Sequence, residues 1–166
     1  MNIKRIVEYG VIVATYTVVS LLLGSFSFSI IQVRLSEVLV LLCLYHKKFI
    51  IPVTIGCLFT NIIGVFNGLN PIVTDIIFGT LATLLSCIAV YYFRNVKLFN
   101  LPLLSLFLPT VINGVIIGIE LSYYFNINVL LLISYVSLGE FISVTLLGLL
   151  INKPLGNVLK AYLDND

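Results

Sequence analysis

Long apolar runs separated by short polar breaks repeat along the whole chain. Six runs can be drawn, at about residues 5–24, 34–46, 49–66, 72–93, 102–125 and 129–151, and most approach the roughly 20 residues that a helix needs to cross a bilayer. Pro52, Pro71 and Pro102 lie near the starts of the third, fourth and fifth runs, where a missing amide proton costs little. The pattern predicts an all-α integral membrane protein with a six-transmembrane-helix bundle at 1–152 and a short amphipathic cytoplasmic tail at 153–166.

The amino-acid composition supports this fold class. Of the 166 residues, 60% are hydrophobic and 10% are charged, whereas charged residues make up about 25% of an average soluble domain. A soluble domain of this length could not bury so much apolar surface, because a large share of a small protein remains exposed. The chain is therefore expected to lie in a lipid bilayer.

The sequence argues against several classes of function. The net charge of +2 and the scattered basic residues do not favour nucleic-acid binding. We find no GxxxxGK[ST] phosphate loop and no HExxH or GxSxG motif, so a non-enzymatic protein without a cofactor is expected. The three cysteines lie in apolar runs and the single His46 lies beside lysines, which favours buried hydrophobic thiols and argues against a metal site.

The basic residues indicate which way the chain crosses the membrane. Eight of the nine precede the first run, follow the sixth, or join the second to the third and the fourth to the fifth: Lys4, Arg5, Lys47, Lys48, Arg94, Lys97, Lys153 and Lys160. Because basic residues collect on cytoplasmic loops, both termini are expected on the cytoplasmic side. The exception is Arg34, which begins the second run at its outer end.

Polar side chains inside the apolar runs gather in the outer half of the predicted bundle. They include one arginine, four acids and several uncharged groups: Arg34, Glu37, Asn61, Asp75, Asn113, Glu120, Tyr123, Ser137 and Glu140. A carboxylate at mid-bilayer costs about 2.5 to 3.5 kcal/mol on insertion scales, so Glu140 must face protein or a water-filled cavity. Four acids facing one arginine imply that some are protonated or that a ligand supplies hydrogen-bond donors.

Two interpretations of this polar set stay open. In the first, each acid is interfacial or half of a structural ion pair, since Arg34 and Glu37 are spaced to meet on one helical face and Asp75 lies near a helix start. In the second, the set forms a pocket open to the outside, where Tyr123 stacks on a flat ligand instead of anchoring the bundle at the interface. A pocket rich in acceptors suits a small planar molecule with several N–H groups and an ammonium.

Small residues recur four positions apart in three runs. Gly64 with Gly68 and Gly114 with Gly118 fit close packing between helices inside the bundle. Gly10 and Ala14 form a further pair on the first run, and this pair favours contact with a partner protein as much as internal packing.

The chain resembles the QueT family, the queuosine-precursor substrate-binding (S) components of energy-coupling factor (ECF) transporters. The resemblance covers about residues 4–151 and is carried by VRLSEVLVLL at 33–42, IGCLFTNIIG at 55–64, DIIFGTLATLL at 75–85 and the late acids of the fifth and sixth runs. It implies an ECF S-component-like six-helix bundle in a bacterial plasma membrane. The bundle would capture its ligand from outside, under the loop after the first span, and topple to deliver it inward.

The resemblance also implies partners and site residues. The partners would be a transmembrane coupling subunit, which meets the first helix at Gly10 and Ala14, and two ATPase subunits. The ligand would be a 7-deazaguanine: the aminomethyl or cyano precursor, or queuine. Glu120 and Glu140 would accept its N–H and ammonium groups, and Asn61 and Asn113 would read its carbonyl and ring nitrogens.

Three other functions remain as alternatives. A proton- or cation-coupled carrier could use Glu140 as its titrating group, although such carriers often contain internal repeats and we see none. The chain could be an S component for another vitamin-like solute. A small membrane enzyme acting on lipid would need a metal or an acid pair on the cytoplasmic side, where Glu8 is the one acid within the spans.

Overall fold

The computed structural model describes residues 3–99 and 101–163 and shows a bundle of helices. The α-helices are α1 (Ile3–Leu22), α2 (Gly24–Ser27), α3 (Ile50–Phe66), α4 (Asp75–Phe93), α5 (Leu103–Phe125), α6 (Val129–Glu140) and α7 (Leu147–Leu163). Two 3-10 helices, Leu35–Leu44 and Lys47–Phe49, lie between α2 and α3, and a π-helical segment, Phe141–Leu146, joins α6 to α7. The predicted all-helical class is confirmed.

Five helical stretches are long and apolar enough to cross a membrane: Ile3–Leu22, Lys47–Phe66, Asp75–Phe93, Leu103–Phe125 and Val129–Leu163. The second predicted run instead forms the ten-residue 3-10 helix Leu35–Leu44. A 3-10 helix rises about 2 Å per residue, so this one reaches about 20 Å, short of the roughly 30 Å hydrocarbon core. The described residues therefore confirm a multi-pass bundle, while the count of six spans and the S-component-like fold stay predictions.

The long 3-10 helix lies in the centre of the bundle. Its sequence LSEVLVLLCL is apolar at most positions, and Val40, Leu41 and Cys43 are fully buried. It contacts α1, α3, α4, α7 and the π segment. A helix that is hydrophobic on all sides is expected at such a position, because every face is covered.

The long helices pack in chain order around this centre. α1 packs on α3, α3 on α4, α4 on α5, and α5 on α6. Exposed apolar side chains such as Ile77 and Leu130 cover the outside of the bundle, where lipid is the natural neighbour. Polar side chains within the long helices, such as those of Asn61 and Asn113, lie instead in the interior of the bundle.

The C-terminal helical stretch continues past the predicted end of the membrane domain. α6, the π segment and α7 run from Val129 to Leu163, and 35 residues at about 1.5 Å each reach about 52 Å. The helix passes through Asn152 and Lys153 without interruption. The division into a membrane domain and a tail stays a prediction.

Glycine permits the close contact between α5 and α6, and this contact provides a test of the fold. A Cβ atom added at Gly118 would lie 2.6 Å from the Cα of Ile133 and 2.7 Å from its backbone nitrogen. Backbone cannot move aside cheaply, so we expect Gly118→Ala to lower the free energy of unfolding by about 1 to 3 kcal/mol, the usual cost of overpacking. Denaturation of the purified protein in mixed micelles measures this.

Gly10→Ala is the matched control for that substitution. Nothing lies within 4 Å of a Cβ added at Gly10, and alanine has a better helix propensity than glycine by up to about 1 kcal/mol. Unchanged or increased stability is therefore expected. Equal effects of the two substitutions would contradict the packing of α5 on α6.

Candidate functional site

Arg34 is the cation around which one half of the bundle is organised, the half that holds the α3–α4 and α5–α6 connections. It begins the long 3-10 helix and is only 4% exposed. Its Nη2 lies 3.5 Å from Oδ2 of Asp75, and its guanidinium lies 5.3 Å from the ring centre of Phe28. Both contacts favour the charged form, and a buried guanidinium requires such partners.

Asp75 connects α3 and α4 to this arginine. Asn70 Nδ2 donates to Asp75 Oδ2 at 2.7 Å, and Asn61 Nδ2 donates to the Asp75 backbone carbonyl at 2.9 Å. The carboxylate thus accepts hydrogen bonds from a turn residue and an arginine. Its other oxygen, Oδ1, has no hydrogen-bond partner in the protein.

Glu37 lies one 3-10 turn after Arg34 and makes separate contacts. Its Oε1 accepts hydrogen bonds from the Tyr16 hydroxyl and, at 2.9 Å, from Thr83 Oγ1. Its Oε2 is buried without a partner. Arg34 forms its direct ion pair with Asp75. The spacing of Arg34 and Glu37 in the sequence could have paired them, but their side chains do not come within salt-bridge distance of each other.

Glu120 lies where the interior meets a cleft in the same half of the bundle as Arg34. Thr74 Oγ1 donates to Glu120 Oε1 at 2.5 Å, and the carboxyl is 8% exposed. The cleft has a volume of about 380 Å³ and lies between α4 and α5, where Thr74, Glu120, Tyr123 and Tyr124 are among its lining residues. Tyr123 is 84% exposed, so its ring belongs to the rim.

Glu140 is the acid of α6 and lies in the interior of the bundle. It is 3% exposed and ends α6 just before the π segment, a feature that often marks functional positions in helices. The side chain of Asn113 on α5 lies beside the Glu140 carboxyl, although Asn113 Nδ2 makes no aligned hydrogen bond. Ser137, one turn earlier, packs directly against Gly114.

These groups form one electrostatic cluster, which we name the polar cluster: Arg34, Glu37, Asn61, Asp75, Asn113, Glu120 and Glu140. All seven side chains are buried, and Arg34 lies within electrostatic range of each of the four acids. One oxygen of every acid, together with Asn61 Oδ1, lacks a hydrogen-bond partner in the protein, whereas the unpartnered donors are Arg34 Nε and Asn113 Nδ2. Acceptors therefore exceed donors in a buried environment, where each unpaired group is costly.

Comparison with known proteins assigns the chain to a family. The family model described as QueT transporter matches residues 6–157, almost the whole chain. The chain belongs to the QueT transporter family. A curated relative from Lactococcus lactis subsp. cremoris (strain MG1363), named queuosine precursor transporter QueT, is 30% identical over 154 residues, which cover 89% of this chain and 90% of the relative. No solved structure matches the chain.

Membership of the QueT transporter family confirms the resemblance read from the sequence and the general function of transport. Together with the apolar helices, it identifies a multi-pass membrane protein. Among the residues that the structure describes, no group of three or more His, Cys, Asp or Glu side chains is arranged to hold a metal ion.

Sequence reasoning missed several residues of this QueT transporter's polar cluster. Tyr16, Asn70, Thr74 and Thr83 all donate hydrogen bonds to its acids. Asn70 lies between two apolar runs, where the sequence indicates a turn, and the other three lie in or beside apolar helices. A signal was available, because hydroxyl groups within a membrane helix need partners and commonly find them on neighbouring helices.

The other predicted site, on α1, lies apart from the polar cluster. Gly10 and Ala14 are exposed on the outside of the bundle, and nothing lies within 4 Å of a Cβ added at Gly10. The glycines of α5 instead pack inside the bundle, as expected for small residues at helix crossings.

Proposed function

We propose that this QueT family member is the substrate-binding S component of an ECF importer and that its ligand is a 7-deazaguanine held by the polar cluster. The observation that carries the proposal is the buried excess of unpartnered acceptor oxygens on Glu37, Asp75, Glu120 and Glu140. The curated relative's name, queuosine precursor transporter, gives the substrate class.

The hydrogen-bonding edges of a 7-deazaguanine complement this cluster. The guanine-like edge offers a ring N–H and an exocyclic amine, which one carboxylate can accept as a bidentate pair. Its carbonyl oxygen needs a donor, and Asn113 Nδ2 is a buried donor without a partner. The aminomethyl precursor adds an ammonium, for which a second carboxylate is the natural partner.

We assign the direct ligand contacts to Glu120 and Glu140, with Asn61 and Asn113 beside them. Glu120 borders the cleft between α4 and α5, and Glu140 lies in the interior, so the pair could hold opposite ends of a planar molecule. We assign Tyr123 and Ser137 to the border of the ligand site, because Tyr123 lies at the rim of the cleft and Ser137 lies one turn before Glu140. We assign Arg34, Glu37 and Asp75 to bracing the site, because Arg34 and Asp75 form an ion pair and Glu37 accepts hydrogen bonds from both Tyr16 and Thr83.

The segment between α2 and the long 3-10 helix is the proposed cover of the site. A Cβ added at Gly139 would meet the carbonyl oxygen of Ile31, and one added at Gly64 would meet the ring of Phe28. The segment therefore touches both α3 and α6. We infer that the ligand enters from outside beneath this segment.

Calorimetry and reconstitution together test the proposal. Purified protein should bind one or more of the aminomethyl, cyano and free-base 7-deazaguanines more tightly than it binds other vitamins. Vesicles containing this chain alone should not accumulate the ligand, and uptake should require the coupling subunit, two ATPase subunits and ATP. Uptake driven by a proton or cation gradient without those subunits would instead favour a coupled carrier.

The exposed pair on α1 gives a prediction about assembly. Gly10→Leu adds a bulky side chain to an open helix face, so ligand affinity should be unchanged while assembly with the coupling subunit falls at least tenfold. Copurification measures assembly and calorimetry measures ligand affinity. Val18→Leu, at an exposed position of the same helix, is the control, and normal ATP-driven uptake by the Gly10→Leu protein would contradict the proposed interface.

A further inference from the structure

A basic cleft lies at the end of the bundle opposite the polar cluster. It has a volume of about 500 Å³ and lies between the end of the long 3-10 helix, the α4–α5 connection and α7. Its polar lining residues are Tyr45, Arg94, Asn95, Lys97, Asn152, Lys153, Asn157 and Lys160. Four cations thus face one concave space, and neither the transport function nor the proposed ligand site uses them.

The cleft has no acidic counterpart among the described residues. Glu8 forms its ion pair with Lys48 at 3.1 Å on a different surface, and the other four described acids belong to the polar cluster. Cations left without carboxylates at a membrane surface attract anions of the lipid or the solution. The described lining of the cleft is therefore cationic, which suits an anionic ligand.

Local contacts hold the cleft in shape. Arg94 Nη1 donates to the Tyr91 carbonyl at 2.6 Å, and its guanidinium lies 3.9 Å from the centre of the Tyr91 ring. The Tyr45 hydroxyl donates to Asn152 on α7, at 2.9 Å to the carbonyl and 3.0 Å to the side-chain oxygen. A Cβ added at Gly156 would lie 2.9 Å from the same hydroxyl. The Tyr45 contacts hold α7 against the end of the long 3-10 helix, and the Tyr91 contacts hold Arg94 in place at the end of α4.

The position of the cleft selects a lipid among possible anions. It lies at the end of the bundle that carries eight of the nine basic residues, where the apolar helices end and lipid headgroups begin. A neighbouring apolar cleft of about 670 Å³, lined in part by Leu85, Phe93 and Val111, lies between α4 and α5. Phe93 is followed directly by Arg94, so apolar surface for an acyl chain adjoins the cations.

We propose that the basic cleft binds the phosphate group of an anionic phospholipid. Lys97, Lys153 and Lys160 are exposed, and Arg94 is held in place by its contacts with Tyr91. Such clefts between helix ends on the cytoplasmic side recognise acidic headgroups. Among the described residues no salt bridge joins α7 to the α4–α5 connection, and the bound lipid links the two.

Native mass spectrometry of the full chain in detergent tests the proposal. The probes are phosphatidylglycerol, phosphatidylcholine with the same acyl chains, and inorganic phosphate in molar excess. The wild type should retain one phosphatidylglycerol selectively over phosphatidylcholine, and inorganic phosphate should displace little of it. Displacement by phosphate alone would show that the cleft binds free anions, which would overturn the lipid assignment.

Two matched double variants separate this cleft from general surface charge. Lys153→Gln with Lys160→Gln removes two cations from the cleft, and Arg5→Gln with Lys47→Gln removes two exposed cations elsewhere at the same end. Each basic residue near an anionic surface contributes about fivefold to binding, so affinity should fall up to about thirtyfold in the first variant and less than threefold in the second. Equal losses, or wild-type retention by the cleft variant, would overturn the proposal. Monodisperse protein with unchanged helical content shows that each variant is folded.

Discussion

Glu140→Gln is expected to weaken binding of the aminomethyl 7-deazaguanine by about 10- to 150-fold. This range corresponds to the roughly 1.5 to 3 kcal/mol contributed by a hydrogen bond to a charged group. Glu140 is buried, and its Oε2 has no partner in the protein, so the carboxylate is placed to accept from a ligand ammonium or N–H group. Glutamine has nearly the same shape but no charge, and calorimetry on the purified variant measures the loss.

The comparison of ligands and of acids makes this prediction specific. Glu120→Gln should also weaken binding, and whichever acid faces the ammonium should discriminate more strongly against the aminomethyl compound than against the uncharged cyano compound. Glu8→Gln is the control, because Glu8 lies at the other end of the bundle beside Lys48. Wild-type affinity in both the Glu120 and Glu140 variants would refute the assignment of the ligand site.

Arg34→Met is expected to lower the free energy of unfolding by about 3 to 5 kcal/mol, the usual cost of removing one partner from a buried ion pair. Asp75 would lose the guanidinium at 3.5 Å, and Glu37, Glu120 and Glu140 would lose the cation within their electrostatic range. Methionine fills similar volume, so the loss reports charge more than a cavity. Denaturation by sodium dodecyl sulfate in mixed micelles measures the change.

A second substitution should rescue part of that loss. In the protein with Arg34→Met and Asp75→Asn, the buried carboxylate that needed the guanidinium is gone, so most of the lost stability should return. Arg5→Met, at an exposed position outside the basic cleft, should change stability by less than about 0.5 kcal/mol. If Arg34→Met were as stable as the wild type, Arg34 could not be the cation that holds the polar cluster together.

The sequence predicted the long helices well because lipid leaves them few alternatives. The predicted runs at 5–24, 49–66, 72–93 and 102–125 match α1, α3, α4 and α5 to within three residues at each end. A chain in a bilayer must satisfy its backbone internally, so run length alone indicates the helix. The second run was harder, because an almost uniformly apolar stretch carries no periodicity that separates a 3-10 helix from an α-helix.

The charged residues of the polar cluster could be predicted from the sequence, but the contacts between them could not. Arg34, Glu37, Asp75 and Glu140 were conspicuous because charged residues are rare within apolar runs, and all four are buried. Their partners depend on contacts between distant parts of the chain: Arg34 meets Asp75 across 41 positions and Thr83 meets Glu37 across 46. Sequence spacing reports neighbours on one helix, so it could not find these pairs.

The 3-10 winding of Leu35–Leu44 determines which of its residues lie on the same side of the helix. With three residues per turn, Arg34, Glu37, Val40 and Cys43 form a straight row, and all four are buried. In an α-helix each residue turns by about 100°, so the ninth residue after Arg34 would point to the opposite side. Inserting or deleting one residue here would swing Arg34 by about 120° from Asp75, and a change of three would restore that angle but move Arg34 by about 6 Å along the axis, so the ion pair depends on both the winding and the exact length of this segment.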